Sequence, residues 1–267
     1  MNTIIDISWL QLALGLLILV IPIYILRRFK TKLIGSTVIA VVRMIVQLIF
    51  VGYYLEYLFK YDNPWVNLGW ILIMVLVADF STIDRSELKR DKGLLVSIFI
   101  ATFLGVFIID LFFLQFVIQL PNIMEAQYLI PITGMILGNC LRGNVIGIND
   151  FYYNLYRHQE RYRFFMASGA TKSEGLFPFF RSALIKSINP TLAAMATIGL
   201  VSLPGMMTGQ MLSGSSPLIA IKYQIMIMIA IFAGTLLSVY LGIKFSLNVG
   251  FDRQNNFRTT ILKKEKE

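Results

Sequence analysis

The sequence predicts an all-α, polytopic membrane protein with about seven transmembrane helices, and three observations support this prediction. Hydrophobic residues make up 57% of the 267 residues and charged residues only 15%, whereas a soluble domain is about half apolar and a quarter charged. The apolar residues form runs of about 20, the length that crosses about 30 Å of hydrocarbon. Alternating segments of about ten residues, which are typical of a membrane β-barrel, do not occur. We therefore expect a multi-pass protein of the cell membrane, either plasma or inner.

Seven apolar runs define the predicted spans in chain order. They cover residues 9–26, 33–58, 64–80, 93–118, 128–148, 188–212 and 218–246. The spans and their connections form one predicted transmembrane domain, residues 1–247, followed by a basic tail, residues 248–267. The longest connection, residues 149–187, separates the fifth span from the sixth. Its first part, from Asp150 to Met166, is compatible with an extension of the fifth helix.

The distribution of Lys and Arg predicts the orientation. With the N-terminus outside, the four cytoplasmic segments carry 20 of the 24 Lys and Arg residues. These segments are residues 27–32, 81–92, 149–187 and 244–267. The segments on the outer side of the membrane carry only Lys60 and Lys222, and the remaining two residues, Arg43 and Arg142, lie within spans. By the positive-inside rule we expect a cytoplasmic C-terminus, and because this topology accounts for the net charge of +9 we expect no binding of nucleic acid.

The segment from Ala167 to Gly175, in the longest connection, predicts a break between two helices. Gly169 can take a positive φ and end a helix. Thr171 is a favourable N-cap residue, and Glu174, three positions later, completes a capping box. We expect one helix to end near Gly169 and a short helix to start near Thr171. From this local chemistry alone, the segment is either an ordinary turn between interfacial helices or a docking surface for another protein.

The second span has a polar stripe. Arg43 lies near its middle, where a charge costs about 2.5–3.5 kcal/mol on insertion scales. Gln47 follows at a spacing that places it on the same face of a helix. A charge at this depth usually faces protein or water and has a partner, and Asp110 lies at a comparable depth. Arg43 and Gln47 therefore belong either to a buried structural pair or to a transport path.

Two similar pieces, GMILGN and GMMTGQ, occur in the fifth and sixth spans. Their glycines are Gly134 with Gly138 and Gly205 with Gly209. This spacing of small residues lets membrane helices pack closely. We expect these four glycines to serve helix packing, either generally or where the two spans meet across a transport path at a dimer interface.

The sixth span contains the predicted gate. Pro204 followed by Gly205 is expected to break the helix near its middle, and freed backbone groups are tolerated in a membrane only where they are buried in protein or line a cavity. The segment from Ser202 to Gln210 is therefore the predicted gate or substrate contact. Asn139, the carboxamide that ends the related piece in the fifth span, belongs to the same predicted path.

The sequence does not assign metal ligands. Met206, Met207 and Met211 are either a soft metal site or flexible packing residues. A single cysteine, Cys140, and a single histidine, His158, exclude a Cys/His metal cluster and a disulfide within the chain. The sequence therefore does not indicate which residues contact a metal cargo.

Longer stretches resemble a known family. The run RYRFFMASGATKSEGLFPFFRSALIKSINPT resembles the cytoplasmic loop of ABC-transporter permeases, which forms a coupling helix in a groove of the ATP-binding subunit. The stretches LIPITGMILGN, GLVSLPGMMTGQML, IKYQIMIM and VVRMIVQLIFVGYYL are similar to FetB-type iron-export permeases, a family that includes the plant aluminium-sensitivity permease. The positions that match the coupling-helix pattern are Ala167, Gly169, Ala170, Thr171 and Glu174.

The resemblance implies the membrane subunit of an ATP-driven ABC exporter that moves iron or another metal ion by alternating access. The sequence contains no Gly-x-x-x-x-Gly-Lys-(Ser/Thr) phosphate loop. We therefore expect no enzymatic activity in this chain, and ATP with Mg²⁺ in a separate ATPase. The resemblance also implies a homodimer in the lipid bilayer with two ATPase subunits. The alternatives are a secondary metal-ion transporter or channel without an ATPase, a membrane-embedded enzyme and a non-transporting scaffold.

Overall fold

The chain is almost entirely helical in the computed structural model, which describes residues 7–252 and 254–263. The α-helices of the described residues are α1 Trp9–Gly15, α2 Val20–Arg28, α3 Ile34–Tyr61, α4 Pro64–Arg85, α5 Lys92–Phe112, α6 Ala126–Arg157, α7 Gln159–Ala167, α8 Lys172–Thr197, α9 Gly205–Leu212 and α10 Pro217–Gly250. Turns of 3₁₀-helix cover Leu16–Leu19 and Thr259–Ile261, and a π-helical turn covers Phe113–Ile118. The predicted all-α class is confirmed.

Six helical segments of the described residues are long and apolar enough to cross a membrane. They are Trp9–Arg28, Ile34–Tyr61, Pro64–Arg85, Lys92–Ile118, Ala126–Arg157 and Pro217–Gly250. They correspond to the first five predicted spans and the seventh, so the prediction of a multi-pass membrane protein is confirmed. The extension of the fifth helix into the longest connection is confirmed as far as Arg157, where α6 ends.

The predicted sixth span, residues 188–212, is not a continuous helix. The break was expected at Pro204 and Gly205, but α8 already ends at Thr197, and Gly199 turns the chain with a φ of +86°. Pro204 is instead the N-cap of α9, because its fixed φ and missing N–H suit the start of a helix. The span is therefore corrected to the end of one helix, a non-helical segment and a second, shorter helix.

The turns between helices lie on alternating sides of the bundle. In the α3–α4 turn, Asp62 accepts a hydrogen bond from the backbone N–H of Ala126, at the start of α6, at 2.7 Å. On the opposite side, the backbone N–H of Lys89 in the α4–α5 turn donates to the carbonyl of Ile261, after α10, at 2.7 Å. Successive connections therefore alternate, as the predicted topology requires, while the exact number of spans and their orientation in the cell stay predictions.

Five helices, α4, α5, α6, α8 and α10, pack against one another and form the buried core. Phe151 and Tyr152 of α6 belong to this core and are fully buried. The first two predicted spans differ, because α1 and α2 have no buried side chain and α3 has only Leu58. The long helix α3 therefore presents most of its surface to the surroundings of the chain.

The residues after α10 fold back onto the helices. Phe251, Phe257 and Ile261 are buried, and the Lys263 ammonium donates to three carbonyl oxygens at the end of α4, at 2.6–3.4 Å. A cation at a helix C-terminus satisfies carbonyls that have no partner within the helix. The predicted basic tail, residues 248–267, begins with the end of α10. As far as the structure describes it, it continues as an ordered segment, which we call the C-terminal strap (residues 251–252 and 254–263).

Candidate functional site

The turn between α7 and α8 contains the five residues predicted to contact an ATPase. Ala167 ends α7, Gly169 has a φ of +88°, and Ala170 leads to Thr171, the N-cap of α8. The backbone N–H of Glu174 donates to the Thr171 hydroxyl at 3.3 Å, and the Glu174 carboxylate accepts from the Thr171 backbone N–H at 2.7 Å. The predicted helix break and capping box are confirmed. The predicted short helix after the turn is wrong, because α8 runs on for 26 residues as it packs against α6 and α10.

The α7–α8 turn is exposed and carries two exposed aromatic side chains beside it. Phe164 on α7 is 69% exposed and Phe177 on α8 is 65% exposed. On the buried side, the Tyr162 hydroxyl donates to the carbonyl of Asn255 at 2.9 Å, and the strap thereby supports α7. Exposed apolar side chains on a surface whose position is fixed by such contacts are typical of sites that bind another protein.

The capping box predicts a local pH dependence. The pKa of Glu174 is lowered from its usual value of 4.5, because its carboxylate accepts hydrogen bonds from the side chain and the backbone of Thr171. A lowered pKa means that the stabilisation is complete above 4.5 and is lost as the pH falls through the lower value. We expect protection from amide exchange in the first turn of α8 to fall in that acidic range, measured as protection factors by mass spectrometry. In Glu174→Gln, which keeps the acceptor oxygen without a titrating group, the first turn should show no such fall, and an equal fall in both proteins would contradict the assignment.

A cleft of about 620 Å³ lies between α6, α9 and α10. Met206 and Gln210 of α9 line it together with Pro131 and Met135 of α6 and Tyr223 of α10. The side-chain oxygen of Gln210 is buried and has no hydrogen-bond partner among the described residues. Because an unsatisfied amide oxygen is costly in apolar surroundings, this cleft offers an acceptor to a donor that enters it. Two residues predicted for the transport path therefore meet here.

The other residues predicted for the path do not join this cleft. The Asn139 amide donates to the carbonyl of Met135 in its own helix at 2.8 Å. Ser202 is exposed in the segment between α8 and α9, and Met207 lines a separate cavity of about 610 Å³. Met206 and Met207 therefore do not form one soft metal site. Among the described residues, no group of three or more His, Cys, Asp or Glu could hold a metal ion.

The four glycines predicted to pack helices have open surroundings in this chain. A Cβ placed on Gly138, Gly205 or Gly209 meets no atom within 4 Å, and one placed on Gly134 meets only the methyl carbon of Met74, at 3.3 Å. Within the part of the chain that the structure describes, Gly138, Gly205 and Gly209 therefore make no close helix contact. Their packing against a second copy stays a prediction.

Gly143 and Gly147 have the same Gly-x-x-x-Gly spacing and do lie where two helices meet. A Cβ on Gly143 would lie 2.3 Å from the methyl carbon of Thr235, and one on Gly147 would lie 2.5 Å from a methyl carbon of Val239. These positions let α6 and α10 approach closely. The spacing was visible in the sequence, but it does not indicate which pair faces another helix.

Of the two alternatives for Arg43, a buried pair with Asp110 is wrong, and a role in a transport path stays a prediction. Arg43 and Gln47 are exposed on α3, whereas Asp110 is buried on α5 and accepts a hydrogen bond from the Thr133 hydroxyl at 2.7 Å. The prediction matched the two residues by depth, and depth does not fix the direction in which each helix faces. The polar stripe of α3 therefore points away from the core.

Sequence reasoning missed a buried polar cluster where α4, α5, α6 and α10 meet. The Thr102 hydroxyl donates to Asp79 at 2.9 Å, and the Asn144 amide donates to Thr102 at 3.1 Å and to Ser238 at 2.9 Å. All four side chains are fully buried. The available signal was the presence of polar residues within four apolar runs. Hydrogen bonds between membrane helices fix their relative positions, so this cluster sets the register of the core.

Comparisons with known proteins confirm the suspected family resemblance. The family model described as "Uncharacterised protein family (UPF0014)" matches residues 9–251. UPF0014 membrane protein YjkA of Bacillus subtilis is 31% identical over 86% of this chain and 90% of its own length. Probable iron export permease protein FetB of Escherichia coli is 30% identical over 96% of both chains. Protein ALUMINUM SENSITIVE 3 of Arabidopsis thaliana is 29% identical over 81% of this chain and 77% of its own length. No solved structure gives a significant match.

Proposed function

Because this chain belongs to the UPF0014 family of membrane proteins, we propose that it is the permease subunit of an ATP-driven exporter of iron or another metal ion. The cargo and the direction come from the relative named as a probable iron export permease. A separate ABC ATPase binds and hydrolyses ATP with Mg²⁺, and this chain supplies the path. The exposed α7–α8 turn is the observation that carries the proposal.

In this proposal the α7–α8 turn docks the ATPase. Its small residues, Ala167, Gly169 and Ala170, let another backbone approach closely, and the capping box gives the start of α8 a defined geometry. Phe164 and Phe177 supply the aromatic anchors that dominate many protein interfaces. A displacement of the turn by the ATPase would move α8, a helix of 26 residues that is about 39 Å long. The other end of α8 lies next to the non-helical segment that precedes α9.

The cleft between α6, α9 and α10 is half of the proposed transport path. Along α6, Gln127, Pro131, Gly138 and Arg142 are exposed and fall on one face at helical spacing. A second copy that packs against this face encloses the cleft and covers polar groups that lipid would not accommodate. Movement of α9, carried through α8, then opens the path by alternating access.

Energy input is required if the cargo is a divalent cation that leaves a cell whose interior is negative. Moving two charges against 100 mV costs about 4.6 kcal/mol, at about 2.3 kcal/mol per charge. Passive flow would carry the ion inward, so export of this cargo needs a coupled source of free energy.

The decisive experiment compares two glycines with the same backbone conformation. Gly169 and Gly214 have φ values of +88° and +94°, and a Cβ on either meets no atom within 4 Å. We expect Gly169→Arg to abolish co-purification of the ATPase and metal export, because the new side chain fills the docking surface. Gly214→Arg, in the α9–α10 turn, imposes the same backbone strain on the opposite side, and the ATPase should stay bound. The measurements are the composition and mass of the purified complex and the iron content of cells under iron load.

Three results of this experiment would refute different parts of the proposal. Absence of any associated ATPase in the native complex removes the ABC assignment. Release of the ATPase by both variants shows that strain, and not docking, is responsible. Unchanged cellular iron in cells that lack the protein removes the iron cargo but leaves the ATPase assignment standing.

The alternative function is a secondary transporter without an ATPase, and one observation favours it. Asp79 and Asp110 are buried within the core helices, and each has one carboxylate oxygen without a hydrogen-bond partner among the described residues. Buried carboxyl groups in membrane helices are used for proton or ion coupling. Metal transport into or out of proteoliposomes that is driven by a proton gradient in the absence of ATP would select this alternative over the exporter.

A further inference from the structure

A further cavity, distinct from the proposed transport path, lies between α4, α5 and the segment that leads into α6. Its volume is about 310 Å³, which is at the small end of the range for ligand pockets. Its walls are mainly aliphatic and aromatic and include Ile71, Val75, Phe107, Leu111 and Leu114. Phe107 and Leu111 are each 42% exposed, so the cavity reaches the outer surface of the bundle.

One carboxyl group lines this apolar cavity. Asp110 is only 5% exposed, and its Oδ2 atom accepts the hydrogen bond from Thr133. Its Oδ1 atom has no hydrogen-bond partner, and no Lys, Arg or His forms an ion pair with Asp110 among the described residues. If Asp110 is ionised, its Oδ1 atom lacks a hydrogen-bond donor. If Asp110 is protonated at Oδ1, the O–H group lacks an acceptor. Either form is costly in apolar surroundings unless a further group enters.

We propose that this cavity binds a small lipophilic ammonium ion, with its charged nitrogen at Asp110 Oδ1 and its apolar body between α4 and α5. The ammonium group supplies both the missing donor and the compensating charge. The apolar walls fit a hydrocarbon or aromatic body. Beside Asp110, the polar side chains that line the cavity include the neutral amides of Gln115 and Asn122, and one carboxylate with two amides is a poor ligand set for a hard divalent metal ion, which takes about six or more oxygen atoms. This binding site does not depend on the exporter proposal.

The test measures binding of dansylcadaverine, a fluorescent alkylammonium probe, to the purified full chain in nanodiscs. We expect saturable binding that Asp110→Asn weakens about tenfold or more, because a charge-assisted hydrogen bond is lost. The neutral N-acetyl derivative of the probe should bind to the unchanged protein as weakly as the amine binds to Asp110→Asn. Asp79→Asn is the matched control, since Asp79 is also a buried carboxyl with an unpartnered oxygen but does not line the cavity.

A variant that leaves the carboxyl in place covers the case in which Asp110→Asn does not fold. Leu111→Trp places a larger side chain in the cavity at a position that is already partly exposed, and it should weaken binding of the probe. Equal binding by the protein and the Leu111→Trp variant would overturn the proposal. It would also be overturned if the neutral derivative bound as well as the amine, which indicates a site for a lipid chain, or if Asp79→Asn weakened binding as much as Asp110→Asn.

Discussion

Gly143→Leu is expected to destabilise the protein strongly. A Cβ at this position would lie 2.3 Å from the methyl carbon of Thr235 on α10, so either the Thr235 side chain or the two helices must shift to admit any side chain. Overpacking of a dense core typically costs about 1–3 kcal/mol, and here the contact joins two of the core helices. We expect a clearly lower midpoint of thermal unfolding and a lower yield of monodisperse protein, measured in detergent by fluorescence-detected size exclusion.

Gly138→Leu is the matched control for this prediction. Gly138 lies on the same helix, and a Cβ placed on it meets no atom within 4 Å. Its replacement should leave the unfolding midpoint nearly unchanged. It should impair transport, because Gly138 lies on the face of α6 that is proposed to pack against a second copy of the chain. Because Leu has a higher helix propensity than Gly, a loss of stability in Gly138→Leu as large as that in Gly143→Leu would show that a large side chain anywhere on α6, and not contact with α10, determines the cost.

These two glycines show what the sequence can and cannot predict about the helices. Long apolar runs predict the spans because hydrophobic length is a property of the chain alone. The capping box at Thr171 and Glu174 was also predictable, since its two partners are three residues apart. The face on which a helix meets its neighbour depends on the rest of the bundle. The same Gly-x-x-x-Gly spacing therefore marks an open surface at Gly138 and a tight contact at Gly143.

The remaining differences between prediction and structure have the same origin. The pairing of Arg43 with Asp110 relied on depth, and α3 turned out to face away from the core. The length of α8 depends on its packing against α6 and α10, which outweighs the helix-breaking tendency of Pro190 within it. The sequence predicts the basic composition of the C-terminal strap but not its packing on the helices, because Lys263 caps α4, whose end lies almost 180 residues earlier in the chain. Contacts of this range leave no local signal in a single sequence.

Tyr152→Ala is expected to give the largest loss of stability among single substitutions in the core. Tyr152 is fully buried on α6, its ring stacks on Phe257 of the strap at 6.0 Å between centroids, and its hydroxyl donates to Ser246 of α10 at 2.8 Å. Truncation of a buried aromatic side chain costs about 3–5 kcal/mol. We expect a strongly reduced unfolding midpoint together with faster amide exchange in residues 254–263, because the strap loses the ring against which it packs.

Two matched variants separate the contributions of the ring and of its hydroxyl. Tyr152→Phe keeps the ring and removes one hydrogen bond, and Ser246 still donates to the carbonyl of Ile243 at 2.8 Å, so a loss of only about 1 kcal/mol is expected. Tyr156→Ala removes a ring that is 49% exposed one turn later and should cost little. If Tyr152→Phe loosened the strap as much as Tyr152→Ala, the polar link between α6 and α10 would hold the strap. The expected order instead assigns this role to the packing of the ring, through which the core supports the strap that contacts α7 beside the proposed docking turn.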